Sequence, residues 1–253
     1  MISIIDFAHS DPLYMGFENR DGVDRHGPFQ NLELVLSGRS EIGMVSLVSY
    51  LENEDNLRLL NTANIHSKGK TVSTLLVSRK DGLKKKMDVA ITRNTRTTEL
   101  YLDLVLTSLH VEHRFIHTDY KDAEDLLTVA DYALLNGDEA LAVYAGRNHI
   151  IMDVGNAFSR IFHMAPVYAV SVSRISENPD TTELDHAVMR SIAYKMECAR
   201  SLSERIGIPM SVAEDYYNTI LYEYDNHTAQ TIEFIRKIIR STNGNKTSSS
   251  ITR

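Results

Sequence analysis

Residues 88–140 read DVAITRNTRTTELYLDLVLTSLHVEHRFIHTDYKDAEDLLTVADYALLNGDEA. Asp88 to Thr92 is a short run rich in apolar and β-branched residues, the length of one strand. From Thr97 to Leu109 the apolar residues take helical spacing. Glu112 to His117 is strand-like again, Asp122 to Val129 helical, and Tyr132 to Leu135 a third strand, with a short helix starting at Gly137. Strands that alternate with helical crossovers predict an α/β protein built on parallel sheets.

The same alternation extends in both directions. Toward the N-terminus lie strands at Ile2 to Phe7, Ile42 to Leu47, Leu57 to Ile65 and Val72 to Ser78. A helix from Phe29 to Leu36 ends at the C-cap signal Ser37-Gly38. Toward the C-terminus, Ile150 to Val154 and Val167 to Val172 close the strand series. After Asn178-Pro179 the pattern changes to three consecutive helices, Leu184 to Ile206, Val212 to Tyr224 and Thr228 to Ile239. Residues 241–253 are rich in Ser, Thr and Asn and read as a flexible tail. No internal sequence repeat is visible.

Composition narrows the function classes. The chain has 253 residues, 43% hydrophobic and 24% charged, which is ordinary globular usage. No apolar run approaches the ~20 residues of a membrane span. Met1 to Asp6 lacks the basic start of a secretory signal and reads as a strand. Cys198 is the single cysteine, so no internal disulfide forms; with a helical setting beside Met196 and Ala199 it reads as an inert packed thiol. These features lead us to expect a cytoplasmic protein with no membrane partner. A formal charge of −7 and a pI near 5.8 argue against a nucleic-acid partner, and Lys84-Lys85-Lys86 reads as a solvated turn.

Phosphate-loop, dinucleotide-binding, C-x-x-C and H-E-x-x-H motifs are absent. His110, Glu112 and His113 fall where a helix gives way to a strand, so their side chains diverge and no metal site is expected. Three polar segments border strand ends. Thr95-Arg96-Thr97-Thr98 opens a helix, where free backbone N–H groups and hydroxyls attract an anion; simple N-capping is the alternative. Gly69-Lys70-Thr71-Val72-Ser73 enters a strand, with Thr71 or Ser73 able to face a cleft, or to be ordinary loop. Asn136-Gly137-Asp138-Glu139 follows a strand, with Asp138 either in a ligand site or a helix cap.

These segments are also where the sequence resembles a known family, the menaquinone-biosynthesis chorismate dehydratases of the futalosine pathway, which share a fold with the pathway's dihydroxynaphthoate-forming lyase. The resemblance rests on an ordered set: Phe7-Ala8-His9-Ser10-Asp11-Pro12-Leu13, Leu36-Ser37-Gly38 through Val45-Ser46 to Tyr50, Gly69 to Ser78, and Thr95-Arg96-Thr97-Thr98. Gly137-Asp138-Glu139-Ala140-Leu141, Asp153-Val154-Gly155, Pro166 to Val170 and the helical Tyr222-Glu223-Tyr224-Asp225 follow. It spans roughly residues 2–240.

The resemblance implies the two-lobed fold of type II periplasmic-binding proteins, with C-terminal helices. One lobe would comprise residues 1–88 completed by 175–240, the other residues 89–174. It implies loss of water from chorismate to give 3-[(1-carboxyvinyl)oxy]benzoate, a carbon–oxygen lyase reaction with a small anionic substrate and no metal or organic cofactor. Ser73 matches the family's catalytic serine. Where the family has a catalytic asparagine this chain has His9, a larger group that titrates near neutral pH when unperturbed. Ser46, Thr71, Thr95, Arg96, Thr97, Thr98 and Asp138 are the expected substrate-binding residues. The family's tryptophan near Phe158 to Phe162 is absent. The sibling lyase and a non-catalytic sensor of a small carboxylate are the alternatives.

Overall fold

The computed structural model describes residues 1–249 except Asn94 and Asn148. The chain opens with β1 (Ile2–Ile5), a 3-10 turn (Ala8–Ser10), α1 (Asp11–Gly16), β2 (Val23–His26), α2 (Pro28–Leu36), β3 (Ile42–Ser46), α3 (Leu47–Glu52) and β4 (Leu57–Ser67). It continues through β5 (Thr74–Ser78), β6 (Lys86–Thr92), α4 (Thr97–Ser108), β7 (Glu112–Thr118), α5 (Ala123–Val129), β8 (Tyr132–Asn136), α6 (Gly137–Gly146), β9 (Ile150–Asp153) and α7 (Val154–Phe162). The last elements are β10 (Val167–Arg174), α8 (Thr182–Ile206), α9 (Met210–Thr219), β11 (Ile220–Leu221) and α10 (Asn226–Ser249).

Two sheets result, ordered β2-β1-β3-β10-β4-β11 and β7-β6-β8-β5-β9. Apart from the two-residue β11 they share one plan. β1, β2, β3 and β4 correspond in position to β6, β7, β8 and β9, and β10 corresponds to β5. The expectation of purely parallel sheets is therefore corrected. β10 runs antiparallel to β3 and β4, and β5 antiparallel to β8 and β9. Each reversed strand is the one by which the chain enters that sheet from the other lobe.

The crossings lie at residues 68–73 and 163–166, not near 88 and 174: β5 and all of β6 already belong to the second sheet, and β10 belongs to the first. Apolar runs mark strands but do not say which sheet receives them. Two further expectations change. The helix expected through Tyr224 stops at Thr219, and Ile220–Leu221 pair with Ser67 and His66 on the open edge of β4, leaving Tyr222 to Asp225 non-helical. The tail expected from residue 241 continues α10 through Ser249, since propagating a helix already docked by Ile232 and Ile235 costs little per residue; residues 250–253 lie outside the described residues.

Side-chain alternation sorts the core. Along β5, Leu75 and Val77 face a small cluster with Ala90, Leu126, Ala133 and Leu135 on the outside of the second sheet. Leu76 faces the opposite way, into a cluster that draws on both sheets: Val45 and Val170 from the first, Val89 and Ile91 from the second. The lobes are thus joined by shared apolar burial. α10 straps this junction: Phe234 stacks against Phe158 and Phe162 of α7, while Arg236 and Arg240 reach Glu54 beyond α3.

Candidate functional site at the junction of the lobes

Ligands of α/β sheets bind beyond the carboxyl ends of strands. The expected site residues fall there in matched pairs. His9 follows β1 and Thr95 to Thr98 follow the equivalent β6; Ser46 ends β3 and Asn136 to Asp138 follow or end the equivalent β8. The lobes meet where the Val48 backbone N–H donates to Thr97 Oγ1 at 3.2 Å. Within the second sheet, the Gly137 N–H donates to the Ser73 carbonyl at 2.9 Å and continues the β5–β8 ladder, which sets Ser73 beside the end of β8.

The crossing from β4 to β5 carries the most unusual backbone. Val72 is fully buried at φ +54°, a left-handed conformation that is strained for a β-branched residue by about 1–3 kcal/mol. Asp153, at the end of β9, holds it. Its carboxylate accepts the Val72 N–H at 2.8 Å, the Thr71 N–H at 2.9 Å, the Thr71 hydroxyl at 3.0 Å and the Asn156 N–H at 3.0 Å. Gly155 is required beside it, because a Cβ there would overlap the Tyr168 hydroxyl, the Thr71 methyl and the Gly69 carbonyl. This clamp fixes the residue that follows, Ser73, whose side chain lies beside the Tyr216 hydroxyl.

Thr71 and Thr74 hydroxyls pair at 2.6 Å. The Tyr168 hydroxyl lies next to both; it is buried and meets no partner at hydrogen-bond geometry among the described residues. Burial first, and the nearby Asp153 second, push its pKa up. Tyr101 of α4 packs edge-on to Tyr168 and donates to the Val167 carbonyl. Hydroxyls of Thr71, Thr74 and Tyr168 therefore gather at the crossing, with Tyr168 and Thr74 on strands and Thr71 fixed by Asp153.

His9 is positioned by its neighbours on both sides. Its Nδ1 lies 2.9 Å from Ser10 Oγ, its carbonyl accepts from Tyr222 at 2.8 Å, and Phe7 packs edge-on at 5.6 Å. Burial, with Arg25 as a second cause, lowers its pKa to about 3. The neutral-range titration expected of this histidine is corrected: its ring is neutral across the physiological range and presents one donor and one acceptor. Arg25 is itself held between Asp6 at 3.1 Å and Asp11 at 2.6 Å, and Tyr217 donates to Asp11 at 3.1 Å.

Ser46 caps α3, accepting from the Ser49 N–H, and Thr97 and Thr98 are buried at the start of α4. Thr95 is half-buried at the edge of the set. Two other expected binding residues are committed elsewhere. Arg96 is exposed and ion-paired to Glu52. Asp138 pairs with Arg205 of α8 at 2.5 Å, so it ties α6 to the first lobe instead of presenting an anion-binding group.

Asp153, Tyr168, Tyr216, Tyr217, Asp11 and Arg25 were not expected as site groups. Only Asp153 left a local signal, the cap pattern Asp153-x-x-Asn156; the others arrive from distant elements. Cys198 is buried, and burial with Asp11 as the next cause pushes its thiol up to about 12, which makes it inert. His113 is engaged by Asp103 and the Val111 carbonyl. No group of three or more His, Cys, Asp or Glu placed to hold a metal occurs among the described residues. A surface depression of about 360 Å³ lined by Arg79, Glu124, Glu139 and His149 lies on the outer side of the second sheet and touches the candidate segments only at Glu139. Among the described residues no helix is long and apolar enough to cross a membrane.

Solved structures share the architecture. A protein of Archaeoglobus fulgidus superposes with a TM-score of 0.75 at 11% identity, covering 96% of this chain and 97% of its own. The alkanesulfonate-binding protein SsuA of Xanthomonas axonopodis, bound to MOPS, gives 0.67 at 13% identity, covering 96% and 92%. A Candida albicans protein with the generic periplasmic-binding-protein fold gives 0.61 at 12% identity, covering 94% and 88%. The expected two-lobed periplasmic-binding-protein-like α/β fold is therefore present. In sequence, the chain is 25% identical over 218 residues to a chorismate dehydratase of Thermus thermophilus, covering 78% of this chain and 79% of that protein. The family described as menaquinone biosynthesis matches residues 1–240. With that match running through β1, both crossings and α10, the chain belongs to the menaquinone biosynthesis family.

Proposed function

We propose that the protein is a cytoplasmic chorismate dehydratase, a carbon–oxygen lyase of the futalosine route to menaquinone. The observation that carries this reading is the clamp at the β4–β5 crossing, which spends backbone strain at Val72 to hold Ser73 at the lobe junction. The relative from Thermus thermophilus supports the same substrate. In this reading a proton leaves the ether-bearing ring carbon, the adjacent carbon–hydroxyl bond breaks, and the hydroxyl departs as water. The ring becomes aromatic, which supplies the driving force. The electrons balance without a redox partner, so no cofactor is required.

The protein's task is then to bind a dianion, exclude water and position proton transfer. Ser46, Thr97, Thr98 and Thr71 offer hydroxyls. Ser73 hydrogen-bonds the reacting region, and neutral His9 takes the role of the family's asparagine. These groups are mostly buried with the lobes packed together, so substrate entry requires opening.

Incubating the purified protein with chorismate, without added metal or nucleotide, should yield the product lighter by one water in mass spectrometry. Conversion of cyclised futalosine derivatives with none of chorismate would transfer the assignment to the sibling lyase. Saturable binding of carboxylates without turnover of either would make the protein a sensor. The departure at His9 is the observation that gives these rivals weight.

A further inference from the structure

α8 is the longest helix with fully described side chains, and it has two apolar faces. Leu184, Ala187, Ser191, Cys198 and Leu202 are buried against the first lobe. On the other side Met189 is 65% exposed, Ile192 62% and Met196 54%, with Ala193 exposed between them. Met189 and Ile192 are the two most exposed large apolar side chains among the described residues. Their spacing places them along one stripe of the helix.

The charges bordering this stripe are arranged about its centre. Measured from the midpoint between Ile192 and Ala193, Met189 and Met196 lie about 5 Å to either side, and Asp185 and Arg200 about 11 Å. Asp185 is exposed and its carboxylate accepts from the hydroxyls of Thr62 and Thr181, with no cationic partner among the described residues. Arg200 is exposed and makes no hydrogen bond or ion pair among the described residues. The other cations of α8 are occupied: Arg190 by Glu18 and Glu183, Lys195 by the Ile220 carbonyl, Arg205 by Asp138.

We infer that α8 pairs antiparallel with α8 of a second copy of this chain, about a two-fold axis between Ile192 and Ala193. The two-fold operation sets Asp185 against Arg200 twice, Met189 against Met196 twice, and Ile192 against Ala193 twice. An isologous interface needs this self-complementarity, in which residue i meets j and j meets i. The small Ala193 at the centre lets the helices approach, and the methionines adapt to the gap. A parallel pairing would set Asp185 against Asp185 and Arg200 against Arg200. The charge order along the stripe therefore selects a second copy in the antiparallel sense.

Sedimentation equilibrium of the full chain should give a dimer at micromolar concentration. Ile192→Glu should give a monomer that still unfolds cooperatively, with a melting temperature that no longer depends on protein concentration. Arg200→Asp should weaken the dimer at least tenfold, while Arg200→Lys should restore most of it. Register is tested by cysteines: a mixture of Met189→Cys and Met196→Cys chains should cross-link under mild oxidation, and neither variant alone should do so. A monomeric wild type at high concentration, an Arg200→Asp dimer of unchanged strength, or self-cross-linking of Met189→Cys alone would each overturn the inference.

Discussion

After β9 the chain stops at Asp153 and turns directly into α7. After β4, the counterpart of β9 in the other sheet, it runs on through Lys68 and Gly69, crosses between the lobes, and enters β5 with Val72 in the left-handed region. The equivalent strand ends thus do opposite things, and they meet. The relaxed end supplies the carboxylate that holds the strained one. A similar contrast separates the ends of β1 and β6. The first carries His9, half-buried and held neutral. The second carries Thr97 and Thr98, packed into a helix start, with Arg96 turned out to Glu52. One plan used twice places candidate groups at all these ends, but among the candidate segments the left-handed backbone at Val72 and the lowered pKa of His9 both fall on chain that leaves strands of the first lobe.

The sharpest way to break this comparison is Ser73→Ala. If the clamp exists to place Ser73, turnover of chorismate should fall on the order of 10²–10³-fold, the usual loss for one transition-state hydrogen bond, with little change in thermal unfolding. Unchanged turnover would reduce the crossing to a structural turn.

Asp153→Asn tests the relaxed end. Replacing the carboxylate weakens its hydrogen bonds to the two backbone N–H groups of the strained turn. Stability in urea should fall by about 2–3 kcal/mol and turnover by roughly tenfold, because the seat of Ser73 loosens. Asp153→Glu, which keeps the charge, should recover part of both. A variant with full stability and lowered turnover would instead place Asp153 on the substrate.

His9 makes a pH prediction. Its folded pKa is about 3, below the 6.5 of the unfolded chain. Between those values the unfolded state binds more protons, so this residue's contribution to stability is full above pH 6.5 and is lost as pH falls toward 3. The loss is on the order of a few kcal/mol, limited by the partial exposure of the ring. His9→Asn should flatten that part of the denaturation profile between pH 7 and pH 4 while keeping substantial turnover. A wild-type profile with the same slope as the variant would mean that His9 is not held neutral.

The smallest effect is expected at Arg96. An exposed ion pair contributes ~0–1 kcal/mol, so Arg96→Ala should change stability by less than that and turnover by less than about threefold. Thr97→Val, one residue along, should cost more, since it removes the acceptor of the Val48 N–H. Equal effects of the two would erase the distinction between the inward and outward sides of this helix start.

Local sequence set the class and most elements. The apolar runs of β3, β6 and β8 and the helical spacing of α2, α4 and α8 all stand close to where they were expected, because side-chain period and capping are near-neighbour properties. The hydroxyl segments at Thr71 to Ser73 and Thr97-Thr98 were legible for the same reason, since strand ends and helix starts announce themselves, whereas Ser46 was expected only from the family resemblance. What required the tertiary structure was every property that depends on what faces what. The direction of β5 and β10, and the points of crossing, follow from which sheet receives a strand, and an apolar run does not encode its recipient. Asp138 became a tether because Arg205, far along the chain, reaches it. His9 became neutral because burial beside Arg25 penalises its charged form, and no window of neighbouring residues contains that enclosure.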